Sequence, residues 1–313
     1  MNFTSLLNMV ATLAILLAVG FGSRKLGLID DVFSKKLSRL VVNIGQPMLI
    51  INSLISQEYS TGNLKRGLLA LAISFGLHSF MAVLAFLFAR SIKDFDKRKI
   101  SEFGMVFVNA GFIGFPILES LFGADGLFCG AFYLIGFHMF LWTWGILILS
   151  RGRDDIKPTP RKIFLNYGTV PCFIGFALYL SNVPLPGFLT QPVGYLAELC
   201  TPLTMMIAGS LIATGSLKKL FGAPINYFVA MIKLLVMPAI VCLCLNLVGL
   251  DDFYVIFGTV MAALPSASMV TILGELYGVN PAFASRIVGF TTISCTLTLP
   301  VAVKFAQFIV SLW

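Results

Sequence analysis

The sequence predicts an all-α integral membrane protein whose ten transmembrane helices form a 5+5 inverted repeat with broken, crossing helices four and nine. Three observations predict this fold. First, 58% of the 313 residues are hydrophobic and only 12% are charged, about half the charged share of a soluble domain. Second, apolar segments of spanning length follow one another along the chain. Third, the two halves resemble each other. A soluble globular protein and a disordered chain are excluded.

The apolar segments are separated by short polar connections, which leave no room for a separate soluble domain. We number them one to ten, and they run over roughly 4–22, 37–56, 67–89, 101–122, 127–149, 163–181, 193–214, 224–249, 253–276 and 283–310. Residues 1–150 form the first five-helix repeat, 151–162 a cytoplasmic linker, and 163–313 the second repeat.

The basic residues indicate how the chain is oriented. The net charge is +8, and 18 of the 22 Lys and Arg residues lie in connections that follow odd-numbered segments, against three on the other face. By the positive-inside rule those 18 face the cytoplasm. Both termini are then non-cytoplasmic, in a multi-pass protein of the cell membrane, such as a bacterial inner membrane. The basic residues are explained by membrane orientation, so we expect no nucleic acid as a partner. An integral membrane protein has the lipid bilayer as its partner.

The six cysteines do not form a disulfide or metal framework in this interpretation. All lie inside apolar segments and none forms a CxxC pair, so they are interpreted as small packing residues. The sequence predicts no metal site, no catalytic residues and no cofactor.

An internal repeat relates the halves at an offset near 155 residues. The stretch "GNLKR" at 62–66 aligns with "GSLKK" at 215–219, "ILESLFG" at 117–123 with "ILGELYG" at 272–278, and Pro47 with Pro202. Five helices in each half is an odd number, so the second half enters the membrane in the opposite orientation. Inverted repeats of this kind are typical of secondary transporters.

Segments four and nine carry interruptions at corresponding places. Proline removes a backbone donor and glycine tolerates unwound backbone, and freed polar groups in a membrane must line a cavity or be buried. Paired interruptions indicate a transporter binding site, where half-helix N-termini attract an anion. Simple helix kinks, and Asn109 as a helix–helix contact, are the alternatives. The candidate substrate-binding residues here are Asn109, Gly111, Gly114, Pro116, Pro265, Ser266 and Ser268.

Further candidates lie beside the prolines of segments two and seven. We expect these prolines to kink the two helices. Asn43, Gln46 and Thr201 flank Pro47 and Pro202. They could face the substrate or only pack.

Three of the ionisable side chains inside the apolar segments are candidates for a functional charge or for proton coupling. Lys233 and His78 are separated by 155 residues, the repeat offset, and His138 lies in segment five. Ionisable groups in a membrane are costly and indicate function by default. We expect Lys233 to place a positive charge behind the crossover, in the role of a bound sodium ion, and the histidines to couple protons. The structural alternatives are a lysine that caps unwound carbonyls or extends its charged end to the membrane interface, and histidines that only hydrogen-bond across neighbouring helices.

These motifs resemble the auxin efflux carrier family, as a short bacterial-type member, over essentially the whole chain. The resemblance is carried by "LVVNIGQPMLIINSLI" in segment two, "NAGFIGFPI" in segment four, "TPLTMMIAGSLIA" in segment seven and the Pro265 interruption. Plant members carry Asn beside both crossover prolines. Here Leu264, not Asn, precedes Pro265. The linker between segments five and six also lacks the long cytoplasmic loop of many plant members. Auxin itself is therefore disfavoured as the substrate.

The resemblance implies a transporter whose helices form two domains with different roles. Helices one, two, six and seven would form a scaffold, and helices three to five and eight to ten an elevator-like transport domain. The function it implies is export of small organic anions, auxin-like compounds or carboxylates such as malate or malonate, by alternating access. A homodimer is left open. The alternatives are a membrane sensor or scaffold that does not transport and, less well supported, an intramembrane enzyme.

Overall fold

Helices make up nearly all of the described part of a computed structural model of the chain. The described residues are 3–153, 159, 161, 164–165, 169–183, 185–214 and 220–312. Within these ranges no β-strand forms, and the one extended pairing is an isolated bridge between Val108 and Ser266. The prediction of an all-α protein is therefore confirmed for this part of the chain.

The helices of the first half are joined in three places by π-helical turns. They are α1 (Phe3–Lys25), α2 (Asp31–Leu40), a π turn (Val41–Gly45), α3 (Gln46–Ile55), α4 (Thr61–Ala89), α5 (Phe95–Val106), a π turn (Ala110–Gly114), α6 (Phe115–Phe140), a π turn (Leu141–Gly145) and α7 (Ile146–Ser150).

The described helices of the second half include one further π turn. They are α8 (Thr169–Ser181), α9 (Gly187–Glu198), α10 (Cys200–Thr214), α11 (Pro224–Met231), a π turn (Ile232–Val236), α12 (Met237–Leu247), α13 (Asp252–Ala263), α14 (Met269–Leu276) and α15 (Pro281–Ser311).

Four helical stretches of the described chain are long and apolar enough to cross a membrane by length and composition. Among the described residues these are Thr61–Ala89, Ala110–Ser150, Pro224–Leu247 and Pro281–Ser311, with 24 to 41 residues each, and a span needs about 20. Gly123, inside the second stretch, has φ +60°, a backbone that favours glycine, so the chain turns there. The membrane-embedded class is supported, while the count of ten spans and the inverted repeat stay predictions.

Two predicted boundaries were wrong because the helices extend beyond the apolar runs that predicted them. Segment two was predicted from 37, but its helix begins at Asp31, where the Asp30 carboxylate accepts the Phe33 N–H at 2.6 Å as an N-cap. Segment seven was predicted from 193, but helix begins at Gly187 and is interrupted only at Leu199. The break at Leu199 lies three residues before Pro202, and a π turn ends two residues before Pro47.

The chain divides into two compact units. The first comprises Met1–Ile73, Gly111–Met139 and Pro160–Thr214, and the second comprises Ser74–Ala110, Phe140–Thr159 and Gly215–Trp313.

In the first unit, α1 and α10 approach each other so closely that their backbones touch at glycine. A Cβ on Gly20 would lie 2.1 Å from the Met206 carbonyl oxygen, and one on Gly209 would lie 1.9 Å from the Leu17 carbonyl oxygen. Small residues permit this contact between membrane helices.

In the second unit, large buried aromatic side chains fill the interior around α5, α13 and α15. Phe103, Phe107, Phe257 and Phe283 are all fully buried. At the start of α5, the Asp94 carboxylate accepts the Lys97 N–H at 2.9 Å. This bond, assisted by the Lys97 charge, lowers the pKa of the Asp94 carboxyl.

Two sequence predictions concern residues that lie partly or wholly outside the described ranges. These are the linker at 151–162, of which only 151–153, 159 and 161 are described, and the repeat motif at 215–219. The assignment of helices to a scaffold and a transport domain stays a prediction.

Candidate functional site

The two interrupted segments meet through their backbones in the second unit. The Asn109 N–H donates to the Pro265 carbonyl at 2.8 Å, and the Ala267 N–H donates to the Phe107 carbonyl at 2.8 Å. These bonds make the antiparallel bridge between Val108 and Ser266. Each break thus supplies hydrogen-bond partners for the other, which unwound backbone inside a membrane requires.

The helices before the two breaks have matching dimensions. Both α5 and α13 have 12 residues, and they begin after Asp94 and Asp251. Beyond the breaks, Gly123 and Gly278 both have φ near +60°. These two glycines end the aligned motifs "ILESLFG" and "ILGELYG", so the sequence repeat coincides with a repeated backbone feature.

The fully unwound residues of segment four lie upstream of the position predicted from its glycines and proline. The extended residues are 107–109, whereas Gly111 and Gly114 belong to a π turn and Pro116 lies in the first turn of α6. A proline at 116 cannot donate to the carbonyl four residues earlier. That carbonyl, Phe112 O, instead accepts from the Thr204 hydroxyl at 3.3 Å, in the first unit.

Asn109 is the candidate with the clearest side-chain contact across the break. Its Nδ2 donates to the Ser268 Oγ at 3.3 Å, and the Asn109 side chain is buried while Ser268 is half-buried. Two predicted residues from different segments are therefore brought together.

Ser266 and Pro265 contribute to packing of the crossover. The buried Ser266 hydroxyl donates to the Gly104 carbonyl at 2.8 Å, and the Ser266 N–H donates to the Thr291 Oγ1 at 3.2 Å. These bonds use the Ser266 donors within the protein, and a role for Ser266 in substrate binding stays a prediction. Thr291, on α15, is a residue that sequence reasoning missed.

Lys233 lies behind the broken segment nine, at the position where a carbonyl needs a partner. It is fully buried within the π turn Ile232–Val236, and its Nζ donates to the Ala262 carbonyl at 3.1 Å. The next carbonyl, Ala263 O, accepts from the Cys295 Sγ at 3.7 Å. The lysine therefore stands at the C-terminal end of α13, where a cation complements the helix dipole.

The two histidines differ in how near they lie to the crossover. The ring centroids of His78 and Phe107 are 6.1 Å apart, so His78 contacts a crossover residue, whereas His138 belongs to the first unit. His78 is fully buried, its Nδ1 lies 2.7 Å from the Ser74 carbonyl, and its ring stacks on Phe140 at 5.5 Å. His138 is half-buried in the first unit, edge-to-face with Phe137 at 5.2 Å. Proton coupling by either histidine stays a prediction.

In the first unit, the predicted residues Gln46 and Gly111 are brought together. A Cβ on Gly111 would lie 1.8 Å from the Gln46 Nε2, so only glycine leaves room for the amide in this position. Thr201 is half-buried and its carbonyl accepts from the Thr204 hydroxyl at 2.8 Å, whereas Asn43 is exposed. Substrate contact by Asn43, Gln46 and Thr201 stays a prediction.

A partly buried ion pair in the second unit was not anticipated from the sequence. The Glu102 carboxylate, fully buried on α5, binds Arg151 through both oxygens, and Nη2 lies 2.9 Å from Oε1. Arg153 adds a bond from its guanidinium to the Tyr277 carbonyl. The signal available was the acidic Glu102 at the start of segment four, but the arginines that follow segment five were interpreted only as determinants of topology.

Comparison with known proteins decides the family. Residues 5–303 match the family described as membrane transport protein. The chain belongs to this family. It is the family of auxin efflux carriers that the motifs resemble. This membrane transport protein is 25% identical over 319 residues to an uncharacterized transporter of Methanocaldococcus jannaschii, covering 98% of this chain and 97% of the relative.

Two other relatives also carry transporter names. An uncharacterized transporter of Methanothermobacter thermautotrophicus is 23% identical over 295 residues, covering 93% of this chain and 95% of the relative. A Rhizobium meliloti protein named "Putative malonate transporter" is 32% identical over 140 residues, covering 44% of this chain and 43% of the relative. The chain is therefore a membrane-embedded transport protein, and family and relatives support transport rather than enzymatic catalysis.

Proposed function

We propose that this membrane transport protein is a secondary transporter that exports a small organic anion by alternating access, with its substrate at the crossover of the broken helices. The observation that carries the proposal is the pairing of residues 107–109 with 265–267, beside a buried lysine. In secondary transporters, discontinuous helices near the middle of the membrane form the substrate and ion sites.

The charges near the crossover favour an anion. The helix α14 begins at Met269, directly after Ser268, and a helix N-terminus carries about half a positive charge. Lys233 adds a full charge behind the same break when protonated, bonded to Ala262. In this proposal the lysine does the work of a bound sodium ion, so transport needs no sodium.

The side chains that meet at the break favour a compact carboxylate. Asn109 and Ser268 offer an amide and a hydroxyl, which can bind carboxylate oxygens. The relative named as a malonate transporter supports a dicarboxylate, and Leu264 in place of Asn disfavours auxin. We also propose a cell-membrane location with non-cytoplasmic termini.

Transport by purified protein in sealed vesicles tests this function. We expect labelled malonate or malate to accumulate down an imposed gradient, to be displaced by unlabelled substrate, and to move equally when choline replaces sodium. Vesicles without protein give the background, and labelled auxin tests the disfavoured substrate. Failure of every carboxylate to move would contradict the anion transporter and favour a sensor or scaffold. Flux that stops without sodium would contradict the role of Lys233.

A further inference from the structure

A groove of about 400 Å³ lies in the second unit, away from the crossover. One wall carries Lys93 and Asp94 from the connection between α4 and α5, and Lys97 from the first turn of α5. The other wall comes from the first turns of α11 and carries Pro224, Ile225 and Phe228. The groove is therefore basic on one side and apolar on the other.

The groove lies where two apolar helices end. The helix α4 ends at Ala89, and the stretch beginning with α11 starts at Pro224, and both belong to stretches long enough to cross a membrane. The loop backbone is held in place, because the Arg98 Nε donates to the Ile92 carbonyl at 2.8 Å. The groove is thus a built feature at the level where membrane helices leave the apolar layer.

The charges in the groove favour an anion. Lys93 is exposed, and Lys97 is partly exposed, with its Nζ 3.5 Å from the Asp94 carboxylate. Two lysines and one aspartate leave the groove with a net positive charge. Basic pockets between membrane helices at the cytoplasmic surface bind the headgroups of anionic lipids.

We propose that this groove binds an anionic phospholipid, with its phosphate at Lys93 and Lys97 and the upper part of an acyl chain against Phe228 and Pro224. The apolar wall distinguishes a lipid from a free anion, because an acyl chain gains free energy from covering it. The proposal depends on the membrane-embedded fold and not on which substrate the protein carries.

Titration of the detergent-purified full chain with phosphatidylglycerol, followed by native mass spectrometry, tests this site. The wild type should bind phosphatidylglycerol more tightly than phosphatidylcholine. The double variant Lys93→Ala/Lys97→Ala should bind phosphatidylglycerol about thirtyfold more weakly, since each lysine near an anionic surface contributes about a fivefold gain. The matched control is Lys35→Ala/Lys36→Ala, which removes two exposed lysines of α2 and should leave binding unchanged.

Two further measurements distinguish a lipid from a free phosphate ester as the occupant of the groove. Phe228→Ala should also weaken phosphatidylglycerol binding, and excess free glycerol phosphate should not displace the lipid. Undiminished binding by the double variant, or an equal loss in the control variant, would overturn the proposed location. Displacement by free glycerol phosphate would overturn the lipid as occupant and indicate a site for soluble phosphate esters. Both lysines can be removed without disturbing the buried interior, and a monodisperse elution profile verifies folding.

Discussion

At the scale of single residues, the polar side chains at the crossover differ in how much of their hydrogen-bonding capacity the protein itself uses. The Ser266 hydroxyl and N–H both donate within the protein, to Gly104 and Thr291. Asn109 instead donates through a longer bond of 3.3 Å to the half-buried Ser268. An amide group also has two donors and an acceptor, so Asn109 is the side chain best suited to exchange its partner for a carboxylate.

We therefore expect Asn109→Ala to lower carboxylate transport at least about tenfold while changing stability by only about 1 kcal/mol, the net value of a neutral hydrogen bond. Uptake into vesicles, normalised to reconstituted protein, measures the first quantity, and melting in detergent the second. Asn63→Ala is the control, because it removes an amide that bonds the Glu58 carbonyl at 3.0 Å on the exposed surface. Transport by Asn109→Ala at the wild-type level would remove this residue from the site.

Lys233 has a structural role, since it binds the end of α13. In the proposed function it also has an electrostatic role, since it attracts the anion. An ammonium has three donors, and Ala262 accepts one of them at 3.1 Å. A lysine at a membrane helix centre costs about 2.5–3.5 kcal/mol on insertion scales, so a purely apolar packing role would favour leucine at this position.

We expect Lys233→Met to weaken carboxylate binding at least about tenfold, because a hydrogen bond to a charged group contributes about 1.5–3 kcal/mol. Lys233→Arg should retain part of the affinity, since charge survives but shape changes. Measuring the carboxylate affinity of the folded fraction of each variant separates the electrostatic role of Lys233 from its structural role. A methionine variant that melts earlier but binds the anion normally would show that Lys233 only supports the end of α13.

At the scale of helices, close packing in the first unit depends on glycine at defined points. Gly209 of α10 faces the Leu17 carbonyl of α1, where a Cβ would lie 1.9 Å from the oxygen. Because that neighbour is backbone, it cannot move without separating the two helices.

Gly209→Ala should therefore destabilise the protein by about 1–3 kcal/mol, the usual cost of overpacking. Gly22→Ala is the matched control, because a Cβ there meets nothing within 4 Å and alanine is the better helix former. Melting temperatures in one detergent compare the two. Equal stability of both variants would show that α1 and α10 are not in backbone contact at Gly209.

The sequence predicts where these helices are interrupted better than it predicts which residues unwind. Pro116 and Pro265 mark both breaks, since proline lacks a donor wherever it stands. In segment four the extended residues are nevertheless 107–109, because Asn109 and Phe107 pair with Pro265 and Ala267 far along the chain. The helix propensities of neighbouring residues do not predict a pairing between residues so far apart in the sequence. The bond of Thr204 to Phe112 and the ion pair of Glu102 with Arg151 were missed for the same reason.

At the scale of the whole molecule, the amino-acid composition is what predicts a membrane protein. A chain with 12% charged residues cannot cover itself in water, and apolar side chains such as Leu68, Val83 and Leu87 of α4 are exposed in the described structure. Such a surface suits contact with lipid rather than water. The division into two compact units was not predictable in the same way, because each unit gathers three separate stretches of chain.

Orientation follows from the distribution of charge. Basic residues resist translocation, so short connections rich in Lys and Arg stay in the cytoplasm, and here 18 lie on one face against three on the other. An epitope tag on either terminus should therefore be labelled by antibody on intact cells. A tag inserted beside Lys93, in the basic connection after α4, should be labelled only after permeabilisation and serves as the control. The reverse pattern would overturn the orientation, and tags on opposite faces would require an odd number of spans and so exclude the 5+5 repeat.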